Sequence, residues 1–183
     1  STLTESDLEA IRSVPNITAV APLMHIAGTV KSKDATPKVT SVLATTPDFL
    51  SITNFPIAQG QFIDPQTNQD TAVIGSQLSI DLFGTEQAIG KTFTIRGQSF
   101  TVIGVLKPTN LPINYNNTDF DHTAIINFES DKALNHDAAQ IAQIDIKATG
   151  QDKLAGVADS IKSLLTKNHG SEDITVLSGT TIA

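Results

Sequence analysis

Apolar residues near the start of the chain follow the spacing of a short, capped helix. Leu8 and Ile11 form its predicted buried stripe, and Pro15 is placed to end it. Thr4 is suited to the N-cap position, and Asp7 then lies at the third helical position, as in a variant of the capping box. The chain is therefore predicted to open with a helix that leads into a strand.

The last third of the chain has an equally regular pattern. Residues 141–148 predict a strand in which Ile144 and Ile146 face one side. Gly170 is predicted to end the helix that follows, and Ile174 to Leu177 predicts a final strand. The apolar positions of that helix repeat every 3.6 residues: they are Leu154, Val157, Ala158, Ile161, Leu164 and Leu165.

Between these regions the apolar runs are short and typical of strands. A helix is predicted from Ser76 to Phe83, with Ser76 as its N-cap and Gly84 at its end. A single helical turn is predicted at Phe49 to Asn54, and Asn110 to Asp121 is polar enough for an exposed loop. The predicted strands are Ile17 to Pro22, Ile26 to Lys31, Lys38 to Thr45, Thr71 to Ile74, Phe100 to Leu106 and Thr123 to Asn127.

The order of these elements indicates an α+β fold. The chain opens with a helix and a strand, ends with a strand, a helix and a strand, and is rich in β-strands between them. A split α/β domain interrupted by a β-rich insertion explains this order economically. We also expect the chain to be a region of a longer protein.

Four glycines are assigned structural roles by their positions. Gly84 ends a predicted helix, whereas Gly90 and Gly97 lie in turns, the latter between the two arms of a predicted hairpin. Gly104 lies within a strand pattern, which indicates either a bulge or a close approach of another backbone.

Composition narrows the possible classes of function. Twelve basic against 19 acidic residues give a net charge of −7, so nucleic acid is not an expected partner. The chain has no cysteine, which excludes disulfides and thiolate chemistry. No apolar run approaches the roughly 20 residues that a membrane span needs.

No motif for catalysis, a metal or a cofactor is apparent. None of the four histidines lies within four residues of another, so the helical His pair of many zinc sites is missing; they are His25, His122, His136 and His169. The acidic cluster around Asp119 and Asp121 lacks the glycine and terminal glutamate of a calcium loop. Ser76 follows a strand, but Ile74 and Leu78 occupy the positions where the Gly-x-Ser-x-Gly motif of a nucleophile elbow has glycine.

An ordered set of motifs resembles a known family. The motifs are Gln59-Gly60-Gln61-Phe62, Thr71-Ala72-Val73-Ile74-Gly75, Asp81-Leu82-Phe83-Gly84, Ile89-Gly90-Lys91-Thr92-Phe93 and Phe100-Thr101-Val102-Ile103-Gly104-Val105-Leu106. In this order and spacing they resemble the MacB-like periplasmic core domain of ABC transporter permeases. The resemblance extends to Leu164, Leu165, His169 and Gly170 and covers essentially the whole chain.

The resemblance implies both a fold and a function. It implies a porter-like α/β subdomain made of residues 1–58 and 139–183, interrupted by a β-rich, sabre-like subdomain at 59–138. Such a domain has no active site or cofactor and transmits movement between a cell-membrane permease and the extracytoplasmic side. The implied partners are a cytoplasmic ABC ATPase domain or subunit, a second permease copy and, depending on the cell envelope, a membrane-fusion or adaptor protein.

Two other functional classes stay open from the residues alone. One is a secreted or surface-anchored domain that binds a lipid or a peptide, and the other is a hydrolase whose site is assembled only by the fold. Under the family resemblance, a partner-contact surface is expected on an exposed loop. Leu111, Ile113 and Tyr115 place apolar groups among polar ones there.

Overall fold

A computed structural model of the protein describes eight stretches of the chain. They are residues 3–26, 29–33, 36, 38–64, 70–108, 119–130, 141–166 and 174–178. The structure separates into two compact units: the first consists of Ser1–Met24, Asp48–Asn54 and Ala138–Ala183, and the second of His25–Pro47 and Phe55–Asp137.

The described elements are mostly strands, interrupted by a few helices. In chain order they are α1 (Glu5–Arg12), β1 (Ile17–Ile26), β2 (Thr29–Ser32), β3 (Lys38–Val39), β4 (Ser41–Thr45), α2 (Asp48–Thr53), β5 (Ile57–Gly60), β6 (Thr71–Ile74), α3 (Ser76–Phe83), β7 (Thr92–Ile95), β8 (Gln98–Leu106), β9 (Thr123–Asn127), β10 (Gln143–Ala148), α4 (Leu154–Thr166) and β11 (Ile174–Ser178). Two single 3-10 turns, Phe120–His122 and Gln151–Lys153, precede β9 and α4. This mixed composition confirms the predicted α+β class.

The two units differ from the predicted boundaries chiefly in two segments. Residues 25–47 group with the second unit because β2 pairs with β3 and β7, and β4 pairs with β9. Residues 55–58 also group with it, because β5 pairs with β8. The predicted first subdomain, 1–58, includes both segments. The assignment of porter-like and sabre-like subdomains remains a prediction.

In the first unit, β10 lies between two other strands. It runs antiparallel to β1 and parallel to β11. Helix α1 begins with the predicted capping box: the Asp7 backbone N–H donates to the Thr4 hydroxyl (3.2 Å), and the Thr4 backbone N–H donates to the Asp7 carboxylate (2.9 Å). Leu8 and Ile11 are buried, as their spacing predicts.

In the second unit, one sheet has the strand order β4-β9-β6-β8-β7-β2-β3. Strand β8 has the most partners: it is parallel to β6 on one edge, while β7 and then β5 occupy the other edge, both antiparallel. The β7–β8 hairpin turns through Arg96 and Gly97, whose φ angles of 50° and 80° give the left-handed geometry that tight hairpin turns require.

Several predictions about local structure are corrected. Ser76 is not an N-cap: Gly75 is the extended residue before α3 and makes no side-chain cap, so Ser76 is the first helical residue. Strand β1 continues past Pro22 to Ile26, and β10 begins at Gln143, with Ile141 forming only an isolated bridge to Leu3. Gly170, the predicted end of α4, lies outside the described residues.

None of the helices in the described ranges is long and apolar enough to cross a membrane.

Strands β5 and β8 pair at two glycines, Gly60 and Gly104. A β-carbon on Gly104 would overlap the carbonyl oxygen of Gln61, and one on Gly60 would overlap the carbonyl oxygen of Ile103. The pairing of β6 with β8 is also irregular here, since Ala72 pairs with Val102 but Val73 pairs with Gly104. Gly104 therefore lies at both a bulge and a close backbone approach.

We predict that Gly104→Ala lowers the free energy of unfolding by about 1–3 kcal/mol, because the added carbon forces two paired backbones apart. Urea unfolding monitored by circular dichroism measures this change. Gly156→Ala is the matched control: Gly156 is exposed on α4, with nothing within 4 Å of an added β-carbon. That change should stabilise the protein by roughly 0.5–1 kcal/mol. Equal effects of the two substitutions would contradict the close-approach explanation.

Candidate functional site

The predicted partner-contact residues cannot be located in the structure. Leu111, Ile113 and Tyr115 lie outside the described residues, as does most of the predicted loop from Asn110 to Asp121. Their role in partner contact remains a prediction.

No catalytic group is assembled among the residues that the structure describes. In these stretches, no three His, Cys, Asp or Glu side chains come close enough to hold a metal ion. His122 pairs with Asp119 through Nδ1 and Oδ2 (2.7 Å), but both side chains are at least half exposed. The arrangement is a local surface pair at one 3-10 turn, and no hydroxyl group of the described residues is bonded to the imidazole.

The four predicted structural glycines have geometries that suit turns and close packing. Gly84 ends α3 in the left-handed conformation, and its N–H donates to the Ile80 carbonyl (2.8 Å). Gly90 and Gly97 also have positive φ angles, whereas Gly104 makes the close approach described above. Two of these residues, Gly84 and Gly90, line a surface groove.

This groove lies in the second unit, between the C-terminal end of α3 and the strands β2 and β7. It encloses about 630 Å³, and its lining includes the exposed side chains of Lys33, Lys91 and Ile80. The Ser32 hydroxyl donates to the carbonyl of Leu82 (2.6 Å), which fixes β2 to the end of α3. We call this feature the α3 groove, defined by Ser32, Lys33, Ile80, Asp81, Leu82, Phe83, Gly84, Gly90, Lys91 and Thr92.

Hydrogen bonds anchor the main chain at Lys91 and next to Lys33, the two lysines of the α3 groove. The Lys91 N–H donates to the Ala88 carbonyl (2.9 Å), and the Lys91 carbonyl accepts from the N–H of Val102 in β8 (2.9 Å). Lys33 directly follows Ser32, the residue that is bonded to α3. The main chain at Lys91 and next to Lys33 is thus attached to the sheet and to α3.

A buried carboxyl group, Asp145, lies at the centre of the first unit. It is on β10, opposite Ala21 of β1, and its side chain is fully buried. Gln143 donates from Nε2 to its Oδ1 (2.5 Å), whereas Oδ2 is buried with no hydrogen-bond partner in the described part of the chain. Lys147, on the same face of β10, donates to the Ser51 carbonyl (2.9 Å), so α2 covers this face.

Burial raises the pKa of Asp145 to about 7, because the ionised carboxylate loses its hydration; the hydrogen bond from Gln143 opposes this shift. Burying an unpaired carboxylate costs much more free energy than burying a neutral carboxyl group. Asp145 is therefore a group whose charge depends on pH near neutrality, inside a hydrophobic layer.

Sequence analysis did not identify either the α3 groove or Asp145. The groove depends on pairing between β2 and β7, which no local pattern reveals. The alternation of Ile144 and Ile146 assigned one buried face to β10. Asp145 would have seemed exposed on the other face, which α2 covers in the structure.

Comparison with known proteins then identifies the family. Residues 1–164 match the MacB-like periplasmic core domain. The chain belongs to this family. It is therefore an extracytoplasmic domain of the type found in MacB-type ABC transporter permeases, as the sequence motifs predict.

Full-length relatives are much longer than this chain. It is 27% identical over 175 residues to the macrolide export ATP-binding/permease protein MacB of Nitrobacter winogradskyi, a match that covers 93% of this chain and 27% of that protein. It is 25% identical over 129 residues to an uncharacterised ABC transporter permease of Methanocaldococcus jannaschii, covering 70% of this chain and 31% of the relative. The chain thus spans about a quarter to a third of the length of these relatives.

Two solved structures share the fold. The periplasmic region of MacB from Actinobacillus actinomycetemcomitans superimposes with a TM-score of 0.77 at 19% identity, covering 93% of this chain and 76% of that one. The extracellular domain of the noncanonic ABC-type transporter YknZ from Gram-positive bacteria gives a TM-score of 0.76 at 17% identity, covering 94% and 87%. At these identities the likeness supports the fold alone.

We predict that Asp145 makes the stability of the protein depend on pH. Since its folded pKa lies above the ordinary value of 3.8, the folded state holds the proton more tightly than the unfolded state. This contribution to stability is complete below about pH 4, falls as the pH rises to about 7, and is constant above that. As the pH rises from 4 to 8, the free energy of unfolding of Asp145→Asn should therefore increase by up to about 4 kcal/mol relative to that of the unsubstituted protein.

Urea unfolding at a series of pH values measures this difference. Asp159→Asn is the matched control, because Asp159 is exposed on α4. If the difference between Asp145→Asn and the unsubstituted protein were the same at pH 4 and pH 8, the buried carboxyl group would not titrate as described.

Proposed function

We propose that this chain couples ATP-driven movement of a MacB-type ABC transporter permease to export or to an extracytoplasmic partner. The observation that supports this most directly is the family match over residues 1–164. The relative from Nitrobacter winogradskyi is named as a macrolide export ATP-binding/permease protein, and the matching chain makes up 27% of it. In this proposal the remainder of such a protein supplies the membrane helices.

ATP hydrolysis is assigned to a separate domain or subunit. The sequence has no Gly-rich phosphate-binding loop followed by Lys and Ser or Thr. The proposed partners are a cytoplasmic ABC ATPase, a second permease copy and, in suitable cell envelopes, a membrane-fusion or adaptor protein.

The packing of the second unit is suited to transmitting force. Strand β8 pairs with three other strands, and its backbone lies close to that of β5 at Gly60 and Gly104. Densely packed elements move as blocks rather than deforming continuously. A domain of this kind can convert a shift of attached membrane helices into displacement of an exposed surface.

This proposal predicts that the domain changes position during the ATPase cycle. Because the chain contains no cysteine, Ser160→Cys on the exposed side of α4 introduces a single thiol in this region for a spin label. In the full-length transporter, with any other cysteines replaced, pulsed electron–electron double resonance measures the distance between the spin labels on two permease copies. We expect the distance distribution in the ATP-bound state to differ from that in the nucleotide-free state.

A transporter that binds ATP but cannot hydrolyse it should stay in the ATP-bound distribution, which serves as the control. Identical distributions in the nucleotide-free and ATP-bound states, with ATP binding shown independently, would refute coupled movement of this domain. A label at Lys107, exposed in the second unit, repeats the measurement there.

A further inference from the structure

We propose that α2 is a lid over β10, which opens locally when the carboxyl group of Asp145 beneath it loses its proton. The inference rests on the complete burial of Asp145, on the fixed position of its strand and on the shortness of the helix that covers it. It is independent of the movement proposed for the transporter cycle.

Strand β10 cannot bring its buried carboxyl group into water by turning over. Asp145 pairs with Ala21 of β1 on one edge and with Thr175 of β11 on the other. Its neighbours Ile144 and Ile146 point to the opposite face and are fully buried. A rotation that exposed Asp145 would break both strand pairings, so water has to reach the carboxyl group from the face that α2 covers.

Two hydrogen bonds attach α2 to the strands beneath it. The Lys147 ammonium group on β10 donates to the Ser51 carbonyl (2.9 Å), and the Val20 N–H of β1 donates to the Asp48 carboxylate (3.2 Å). Neither bond involves the backbone ladder between β1 and β10. Both can therefore break while the sheet stays paired.

Helix α2 is short enough to leave the sheet as one piece. It has six residues, and an isolated helix of this length is not stable in water. Its buried apolar side chains are Phe49 and Ile52. Opening of α2 exposes these two side chains, whereas global unfolding exposes the whole core, so local opening is the smaller step.

Ionisation of Asp145 favours the open form. In the closed form Oδ1 accepts from Gln143 (2.5 Å), and Oδ2 has no hydrogen-bond partner among the described residues. Burial raises the pKa of Asp145 to about 7, whereas a hydrated carboxyl group has the ordinary value of 3.8. Between these two values the open form binds fewer protons than the closed form, so each rise in pH favours opening.

No ionisable group of the surrounding elements compensates the charge of an ionised Asp145. The ionisable side chains that α2, β1, β10 and β11 contribute besides Asp145 are Asp48, His25 and Lys147. Asp48 has the same charge, and Lys147 is hydrogen-bonded to α2 instead. His25 is four residues beyond Ala21 along β1, which corresponds to about 13 Å.

Native-state hydrogen exchange of the 183-residue chain tests the proposal. Amide exchange is measured by ¹⁵N–¹H spectroscopy from pH 5 to pH 8 and divided by the intrinsic rate at each pH. The Asn54 N–H, which donates to the Leu50 carbonyl (2.7 Å) at the end of α2, reports opening of the lid. We expect its opening equilibrium constant to rise roughly fiftyfold from pH 5 to pH 7, and only about twofold from pH 7 to pH 8.

The amides of β10 are the internal reference. They stay paired with β1 and β11 when α2 opens, and we expect them to exchange more slowly than those of α2 at every pH. The ¹³C resonance of the Asp145 carboxyl group should titrate near pH 7 in the same samples. This titration needs no substitution, so it decides the proposal even if a variant at Asp145 does not fold.

Three variants separate the charge of Asp145 from the packing of α2. In Asp145→Asn, the opening equilibrium of α2 should change less than about twofold over the whole pH range, because the amide does not titrate. Asp159→Asn, at an exposed position on α4, should keep the pH dependence of the parent. Ile52→Val should raise opening by about two- to tenfold at each pH and leave its pH dependence unchanged.

The proposal is wrong if α2 and β10 amides share one opening equilibrium at every pH, since only global unfolding would then expose Asp145. It is also wrong if opening of α2 does not depend on pH, or if Asp145→Asn keeps the pH dependence of the parent. Titration of the Asp145 carboxyl group near pH 4 in the folded protein would equally overturn it.

Discussion

The close pairing of β5 with β8 is the constraint on which the second unit depends. Strand β8 has β6 along one edge and both β7 and β5 along the other, so it joins the sheet on two sides. Gly60 and Gly104 allow the β5 and β8 backbones to approach closely. The same strand carries the bulge in the β6–β8 pairing, and its Val102 N–H donates to the Lys91 carbonyl.

The first unit depends on a different interaction, the layering of α2 over β10. Segments from the beginning, the middle and the end of the chain form this unit, so its core exists only when all three have come together. Asp145 lies in this layer with one carboxyl oxygen unpartnered. The unit therefore retains a polar group at a position where an apolar one would be more stable, which makes its stability sensitive to pH.

Features determined by local interactions were predictable from the sequence. The capping box at Thr4, strands β6 and β9, and the end of α3 at Gly84 all matched, because each is set by residues adjacent along the chain. The ordered family motifs also predicted the family. Features that depend on contacts between distant segments were missed: α2 covers the face of β10 that carries Asp145, and the α3 groove depends on the β2–β7 pairing.

The central claim is that the domain acts as a rigid, non-catalytic body in a transporter cycle. Hydrogen–deuterium exchange on the full-length transporter tests it most directly, by comparing the protection of β8 amides in the nucleotide-free and ATP-bound states. A rigid body predicts unchanged protection of β8 from Thr101 to Leu106, where β5 and β6 pair with it. Loss of protection along β8 in the ATP-bound state would show that the sheet itself is remodelled, and would contradict this account.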